Sequence, residues 1–168
     1  MSLHDGIEKI YSDDPNLRYK TTTKRPIDSK SDIDGILAKH GITKFAWDWD
    51  IPNNNVQLSF QLSERFKDQQ LEPMVQLKPP IIWMKHKRGK ADQIDWRLSM
   101  RIFLYYIENQ LQMAYAFQSK RTLAFLPHIV VRKGAVLADV ILDDLRRYKA
   151  LPEKEQVSSI IDVEAENP

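Results

Sequence analysis

A long stretch without proline or glycine constrains the fold more than any other feature of this sequence. Neither residue occurs from Gln93 to Ser119, and apolar side chains recur there at spacings of three and four positions. These apolar positions are Met100, Leu104, Ile107, Leu111 and Ala114. The spacing predicts an amphipathic helix of about 26 residues, roughly 39 Å long, and we expect Asp92 to cap its start. A small domain that contains such a helix has to be built around it.

Length and composition limit the class of protein. The chain has 168 residues, of which 42% are hydrophobic and 29% charged, and this is typical of one globular domain. It has no cysteine, which excludes disulfide scaffolds, thiolate metal sites and cysteine nucleophiles. Nucleotide-binding glycine motifs, the GxSxG motif and the HExxH motif are also absent from the sequence. We therefore expect a protein that is not an enzyme and needs no cofactor.

Alternating side chains between residues 42 and 62 predict a β-hairpin. Two runs of alternating polarity flank the turn sequence Pro-Asn-Asn-Asn. Trp47 and Trp49 fall on the face that would pack under helices, and Asp48 and Asp50 fall on the opposite face. Together with the helical segments, this hairpin predicts an α+β domain. We expect a mostly antiparallel sheet of three to five strands, with one short and two longer helices packed on it.

Two short elements are predicted before this hairpin. The β-branched residues Thr21 to Thr23, which lie shortly before Pro26, indicate a strand. A helix then begins at Asp28 or Ser29, because apolar residues follow at helical spacing. Gly41 is expected to end this helix as the residue just after its last turn.

The regions on either side of the long helix are less regular. Three prolines between residues 64 and 80 predict a loop followed by a single edge strand. After the long helix, the sequence predicts a short strand and a final amphipathic helix that ends at Pro152. The apolar residues expected to face inward from this last helix are Leu137, Val140, Ile141 and Leu145.

The sequence divides into a polar leader at 1–18, a single domain at 19–150 and an acidic tail at 151–168. The tail carries five acidic residues against one lysine, so we expect it to be disordered. The first 150 residues carry 24 basic and 18 acidic side chains, a surplus compatible with nucleic acid. No segment has the character of a membrane span or a signal peptide, so we expect a cytoplasmic protein that has no membrane partner.

The order of these elements, with several short motifs, resembles a family of small uncharacterised phage and prophage proteins. The matching positions are Thr21 to Thr23, Lys39 to Gly41, Trp96 with Arg97, Glu108 with Gln110 and Leu111, and Leu126 with Pro127. The resemblance extends over residues 18–132, and the basic run after Trp83 departs from the family pattern. It implies an accessory role for a phage or mobile element inside a host cell. It transfers no activity and no catalytic residue.

A basic run next to the long helix is the predicted nucleic-acid site. Lysines and arginines that lead into a helix N-terminus suit phosphate oxygens, and a tryptophan beside them suits stacking on an unpaired base. The predicted DNA- or RNA-binding residues are Trp83, Lys85, Lys87, Arg88, Lys90, Arg97 and Arg101. The alternative interpretation is a solvated loop beside a core tryptophan.

Two patterns invite a metal-site interpretation, and neither has the spacing that such a site needs. Asp48 and Asp50 share one face of a strand, which is simple amphipathic alternation, and a two-metal site would need further acids such as Glu64 or Asp68. The four histidines fall in separate elements and form no pair at zinc-binding spacing. We expect His128 to be a partly buried histidine with a hydrogen-bond partner.

The long helix carries more aromatic side chains than one buried stripe can hold. These are Trp96, Phe103, Tyr105, Tyr106, Tyr115 and Phe117. Exposed aromatic rings supply contact area at interfaces, so this helix predicts a homo-oligomer or a protein partner. The function alternative to nucleic-acid binding is therefore a protein-interaction or assembly module. Burial of the helix between the strands and the last helix would remove this argument.

Overall fold

The computed structural model describes residues 9–85, 91–132 and 135–149 of the chain. The helices are α1 (Pro26–Lys39), α2 (Trp96–Ala116), α3 (Arg121–Ala124) and α4 (Leu137–Lys149), with a 3-10 helix at Leu126–His128. The strands are β1 (Ile10–Tyr11), β2 (Phe45–Asp50), β3 (Asn55–Gln61), β4 (Glu64–Phe66), β5 (Gln69–Leu71), β6 (Met74–Leu77), β7 (Ile82–Met84), β8 (Gln93–Ile94), β9 (Val130–Arg132) and β10 (Ala135–Val136). The predicted tail at 151–168 lies outside the described residues.

The central sheet is antiparallel and has the strand order β2-β3-β6. The first two strands are the predicted hairpin, in which Phe45 lies opposite Phe60 and Trp49 opposite Val56. β6 pairs with β3 on its other side and is the predicted edge strand. Alternate residues of β3 are buried, because a strand points successive side chains to opposite faces. The sheet and the helices confirm the α+β class with mostly antiparallel pairing.

α2 is the central helix of the domain. Nine of its 21 residues are buried, and they recur every three or four positions along one side. Four of its side chains are among the largest that are fully buried: Leu98, Met100, Phe103 and Ile107. Phe103 packs edge-on against Trp47 of β2, with ring centres 6.2 Å apart, and α1 packs along another side of α2. The tryptophans of the hairpin therefore lie under the helices, as the alternation predicts.

The start of α2 differs from the prediction. The capping residue is Asp95, whose carboxylate accepts a hydrogen bond from the Leu98 amide at 3.1 Å, and not Asp92. The reason is that Gln93 and Ile94 pair with β7 as a short strand, so the helix begins three residues later. α2 is consequently 21 residues long, and none of the described helices is long and apolar enough to cross a lipid bilayer.

A second small sheet has the order β1-β7-β8. β1 runs parallel to β7, with Tyr11 opposite Trp83, and β8 is antiparallel to β7. β1 belongs to the segment predicted as a polar leader, and it attaches this segment to the strand that precedes the basic run. The long connection between β1 and β7 satisfies the requirement that parallel neighbours be joined by a crossover.

The threonine-rich segment is not a strand, contrary to the prediction. Thr22 lies in a turn, where its amide donates to the carbonyl of Tyr19, and its hydroxyl accepts from the amide of Lys24. Threonine side chains that bond to nearby backbone compete with sheet pairing in this way. α1 begins at Pro26, two or three residues before the predicted start, because proline suits the first turn of a helix. Its predicted end is confirmed, since Gly41 has a φ of 74°.

The region at 64–80 is more regular than the predicted loop. β4 and β5 form a second, short antiparallel hairpin before the edge strand. The turn between them places Lys67 at a φ of 53°, in the left-handed region. The apolar side chains Phe66 and Leu71 of this hairpin are exposed. Neither strand has a buried face, so the sequence shows no alternating pattern that would predict them.

α4 does not turn the predicted residues into the core. It packs against the 3-10 helix and β10, whereas Ile141 and Leu145 are 48% and 51% exposed. The core beneath the central sheet is already filled by α1 and α2, so α4 is left on the outside with part of its apolar side uncovered. The prediction of an amphipathic helix is right, but the prediction of what covers it is wrong for these two residues.

Replacement of the capping residue tests the observed start of α2. We expect Asp95→Ala to lower the free energy of unfolding by about 1 kcal/mol, because the Leu98 amide loses its acceptor. Asp95→Asn is the matched control, since asparagine caps a helix about as well as aspartate. Chemical denaturation of the three proteins measures the difference. Equal stability of the alanine and wild-type proteins would contradict the assignment.

Candidate functional site

Four of the seven residues predicted to bind nucleic acid lie within the described part of the chain. Trp83 is on β7, Lys85 follows that strand, and Arg97 and Arg101 are on the first turns of α2. Lys87, Arg88 and Lys90 fall in 86–90, outside the described residues. The local environment of the four residues determines how much of the predicted surface is available.

Trp83 lies beside Tyr11 where β7 pairs with β1. The Nζ atom of Lys9 is 4.5 Å from the centre of the Trp83 ring, and that of Lys85 is 4.8 Å from the Tyr11 ring. Tyr11 donates a hydrogen bond of 2.9 Å to Asp92, and this bond is the main reason that the pKa of Tyr11 lies above its ordinary value. One face of the Trp83 ring is therefore covered by a lysine of the N-terminal segment.

The positive charge of Lys85 has an acidic partner. Its Nζ atom is 3.2 Å from the carboxylate of Asp13, and both side chains are more than half exposed. The two residues line an open cleft of about 690 Å³ together with Lys9 and Asp14. Because two acids and two bases line this cleft, its charges do not have a single sign. The cleft is therefore a weak site for phosphate.

The two arginines of α2 have different surroundings. Arg97 is 53% exposed and lies 3.7 Å from the carboxylate of Asp95, a loose contact near the surface. Arg101 donates a hydrogen bond of 2.6 Å to the hydroxyl of Tyr105, and its guanidinium is 4.0 Å from Asp32 of α1. Arg101 thus links α2 to α1. Of the two arginines, Arg97 is the one available to a ligand.

A larger cleft of about 980 Å³ lies where α1 and α2 end and α3 begins. Its walls include Lys39 and His40 at the end of α1, Tyr115 of α2, and Arg121 of α3. Burial, reinforced by the neighbouring Lys39 and Arg121, lowers the pKa of His40. Leu111, which is fully buried, lies at the base of the cleft.

Glu64, which lines this cleft, connects β4 to α3. One carboxylate oxygen accepts bonds from the amide and the Nε of Arg121, at 2.7 and 3.2 Å. The other accepts bonds from the amide and the hydroxyl of Thr122, at 3.0 and 2.6 Å. Glu64 therefore caps α3 from a distant strand. Burial alone would raise the pKa of Glu64, but the bonds from Thr122 and Arg121 outweigh it and hold that pKa below its usual value.

Exposed apolar side chains concentrate near the end of α2. Tyr115 and Phe117 are 83% and 73% exposed, and Met113 and Leu123 are also more than half exposed. These four residues, here called the α2-end patch, lie on α2, on its capping residue and on α3, which packs against α2. Over the described residues, nine of the fifteen exposed large apolar side chains lie between residues 113 and 145. The predicted excess of aromatic side chains on the long helix thus reaches the surface at its C-terminal end.

The other aromatic residues of α2 have internal partners. Trp96 and Phe103 are buried, and Tyr105 stacks on Tyr19 at 4.2 Å. The hydroxyl of Tyr106 lies 2.9 Å from Nε2 of His128, and burial lowers the pKa of this histidine. The prediction that His128 is partly buried and hydrogen-bonded is confirmed.

The acidic residues considered for a metal site are paired with neighbouring amides. Asp50 accepts a bond of 2.7 Å from the side chain of Asn53, and Asp48 accepts one from Asn55. Glu64, the further acid that such a site would need, is committed to Arg121 and Thr122. Within the ranges that the structure describes, no three histidine, aspartate or glutamate residues come together as a metal site.

Comparisons with known proteins yield no relative. No protein-family model matches the sequence, and no curated protein and no solved structure is significantly similar to it. The functional interpretation therefore depends on the surfaces described above.

Sequence reasoning missed the role of Glu64. The residue belongs to a segment predicted as a loop, and its partners lie 57 and 58 positions further along the chain. The short helix that it caps begins after Lys120, which provides no side-chain cap of its own. A helix start that lacks a local capping residue is a signal that a distant acceptor is needed.

The pH dependence of stability tests the Glu64 interaction. Because the pKa of Glu64 is lowered in the folded protein, its contribution is fully present above about pH 4.5 and is lost as the pH falls through the folded-state value. At about pH 7 we expect Glu64→Gln to have a lower free energy of unfolding than the wild type. This difference in free energy should shrink as the pH falls to about 3. Urea unfolding across this range measures it. Asp68→Asn, at an exposed acid of the same hairpin, is the control. A difference independent of pH would contradict the role of the carboxylate charge.

Proposed function

We propose that this protein is a non-enzymatic assembly module that associates with copies of itself through the α2-end patch. The observation that carries this proposal is the high exposure of Tyr115 and Phe117, two aromatic side chains that lie two positions apart at the end of the central helix. Large aromatic side chains are enriched in interfaces because they bury much area and lose little conformational entropy. The sequence resemblance adds a setting, an accessory role for a phage or mobile element inside its host.

The area of the patch supports an interface. A buried aromatic side chain removes about 150–250 Å² from water, and a stable interface buries about 800 Å² on each partner. Tyr115, Phe117, Met113 and Leu123 supply a large part of that area. An apolar patch has no charges that repel an identical patch, and a two-fold interface brings the same patch together from both copies. A second copy of the chain is therefore the partner that we propose.

Removal of the two exposed rings tests this proposal. We expect the wild-type protein to scatter light as a multiple of its 19.7 kDa chain mass at micromolar concentration. Tyr115→Ser with Phe117→Ser should weaken association at least tenfold, because it removes the largest apolar area of the patch. Ile27→Ser removes a half-exposed apolar side chain of α1 and is the matched control. A wild-type mass of one chain at all concentrations would refute the proposal.

Nucleic-acid binding is a second candidate, favoured by one observation. Lys85 and Arg97 have side chains that are 62% and 53% exposed. Lys85 follows β7 and Arg97 lies just after β8, and these two strands pair at Trp83. Lys87, Arg88 and Lys90 continue the positive charge in the sequence. Phosphate contacts by such residues would give affinity that falls steeply as salt rises.

Charge reversal separates this candidate from the first. If nucleic acid binds here, replacing Lys85, Lys87, Arg88 and Lys90 by glutamate abolishes the shift of a labelled oligonucleotide at low salt. Trp83→Ala should weaken binding to single strands more than to duplex, by about 1–3 kcal/mol. Glutamates at four exposed lysines elsewhere provide the control: Lys20, Lys39, Lys44 and Lys67. No shift by the wild-type protein on single-stranded, duplex or RNA probes would exclude this function.

A further inference from the structure

The apolar side of α4 is only partly covered by the other described elements. It packs on the 3-10 helix and β10, mainly through its N-terminal half, where residues 137–140 are half-buried. Beyond that half, Ile141, Leu142 and Leu145 are 48%, 38% and 51% exposed. An amphipathic helix gains most of its stability by burying its apolar face against another element. The described residues of this chain cover only part of that face.

The exposed apolar residues of α4 form a continuous stripe. Ile141 and Leu145 are four positions apart, and Leu142 is three positions before Leu145, so the three side chains are neighbours on one side of the helix. Ala138 precedes Ile141 by three positions and extends this side toward the N-terminus. This spacing of three and four is typical of a helix that packs against another helix.

The charges of α4 are ordered along its length. Beside the stripe, the acidic residues Asp139 and Asp144 precede the basic residues Arg146 and Lys149 in the sequence. Asp143 and Arg147 fall on the opposite side of the helix, where Arg147 lies 4.0 Å from Asp144 of its own chain. Two copies of this helix laid antiparallel bring the acidic half of each next to the basic half of the other. Two copies laid parallel bring like charges together, which is unfavourable. The helix is therefore complementary to itself in one orientation.

We infer that α4 pairs antiparallel with α4 of a second copy, around a two-fold axis near residue 143. This inference rests on the proposed self-association but uses a different surface from the α2-end patch. An axis at the midpoint of the helix sets Ile141 of one copy against Leu145 of the other. A two-fold arrangement repeats the same contact twice, as in isologous dimers.

Neighbouring residues enlarge this interface. A helix of 13 residues is about 20 Å long, so a helix pair alone gives a small contact. The 3-10 helix beneath α4 adds Leu126, which is 41% exposed. Because α4 packs on this 3-10 helix, Leu126 lies near α4 and adds apolar area beside it.

Complementary charge reversal is the first experiment. One variant carries Asp139→Lys and Asp144→Lys, and the other carries Arg146→Glu and Lys149→Glu. In each variant alone, the four charged residues beside the stripe all have the same sign, so pairing through α4 should weaken at least tenfold. In an equimolar mixture the two variants attract, and the association should return. Sedimentation velocity of the full-length proteins at low salt measures the masses, and recovery only in the mixture supports the inference.

Cysteine crosslinking determines the orientation. The chain has no cysteine, so a single introduced thiol reports on one position. Leu142→Cys lies next to the axis and should form a disulfide-linked dimer on mild oxidation, because a disulfide needs Cα atoms about 4.4–6.8 Å apart. Ala138→Cys should not, since its counterpart lies at the other end of an antiparallel pair. Equal crosslinking at both positions would indicate a parallel pair and overturn the inference.

Controls separate this inference from the proposed function. Asp143→Asn changes the side of α4 away from the stripe and should leave the masses unchanged. If the α4 variants keep the wild-type mass while Tyr115→Ser with Phe117→Ser loses it, the α4 pair is wrong and the α2-end patch stands. The opposite result leaves α4 as the interface and removes the patch. If the wild-type protein and all variants are monomers, and Leu142→Cys forms no crosslink, both interfaces are wrong. The apolar face of α4 would then be covered by another part of its own chain.

Discussion

Burial of one face of α2 is the interaction on which the other elements depend. The central sheet packs on this face through residues such as Leu58 and Phe60, and α1 adds Ile33 and Leu37 from the side. Removal of this much apolar surface from water is the dominant favourable term in folding a domain of this size. The remaining elements lie around this core and are attached to it by polar contacts or by short strands.

The sequence predicts best where a periodic pattern has one buried face. The hairpin of β2 and β3 and the body of α2 satisfy this condition. Both are predicted correctly because burial of one face alone sets the spacing of their apolar residues. Prediction fails where local and distant partners compete for the same residues. Thr22 bonds to nearby backbone in a turn, and Gln93 and Ile94 join β7, which moves the start of α2 to Asp95. The spacing of apolar residues does not reveal either of these two interactions.

The candidate sites show the same limit more strongly. Sequence clustering identified the basic run, but it could not reveal that Asp13 lies next to Lys85, because 72 positions separate them. The number of aromatic residues on the long helix indicated that some rings would reach the surface. Which rings these are depends on how the core is assembled, and Tyr115 and Phe117 are the two that are exposed. The exposure of a side chain depends on how the whole core is assembled. The sequence alone therefore predicts that some aromatic rings reach the surface, but not which ones.

The contact between Lys9 and Trp83 has a consequence for the order in which the structure opens. β1 has only two residues, and it joins β7 across a long connection, so it can detach at a smaller cost in free energy than unfolding of the core. Detachment removes Lys9 from the indole ring and Asp13 from Lys85 in a single step. The ring face that Lys9 covers and the charge that Asp13 pairs with are then released together. Any ligand that stacks on Trp83 binds with an apparent affinity reduced by the fraction of molecules in that form, and the N-terminal strand acts as a built-in competitor.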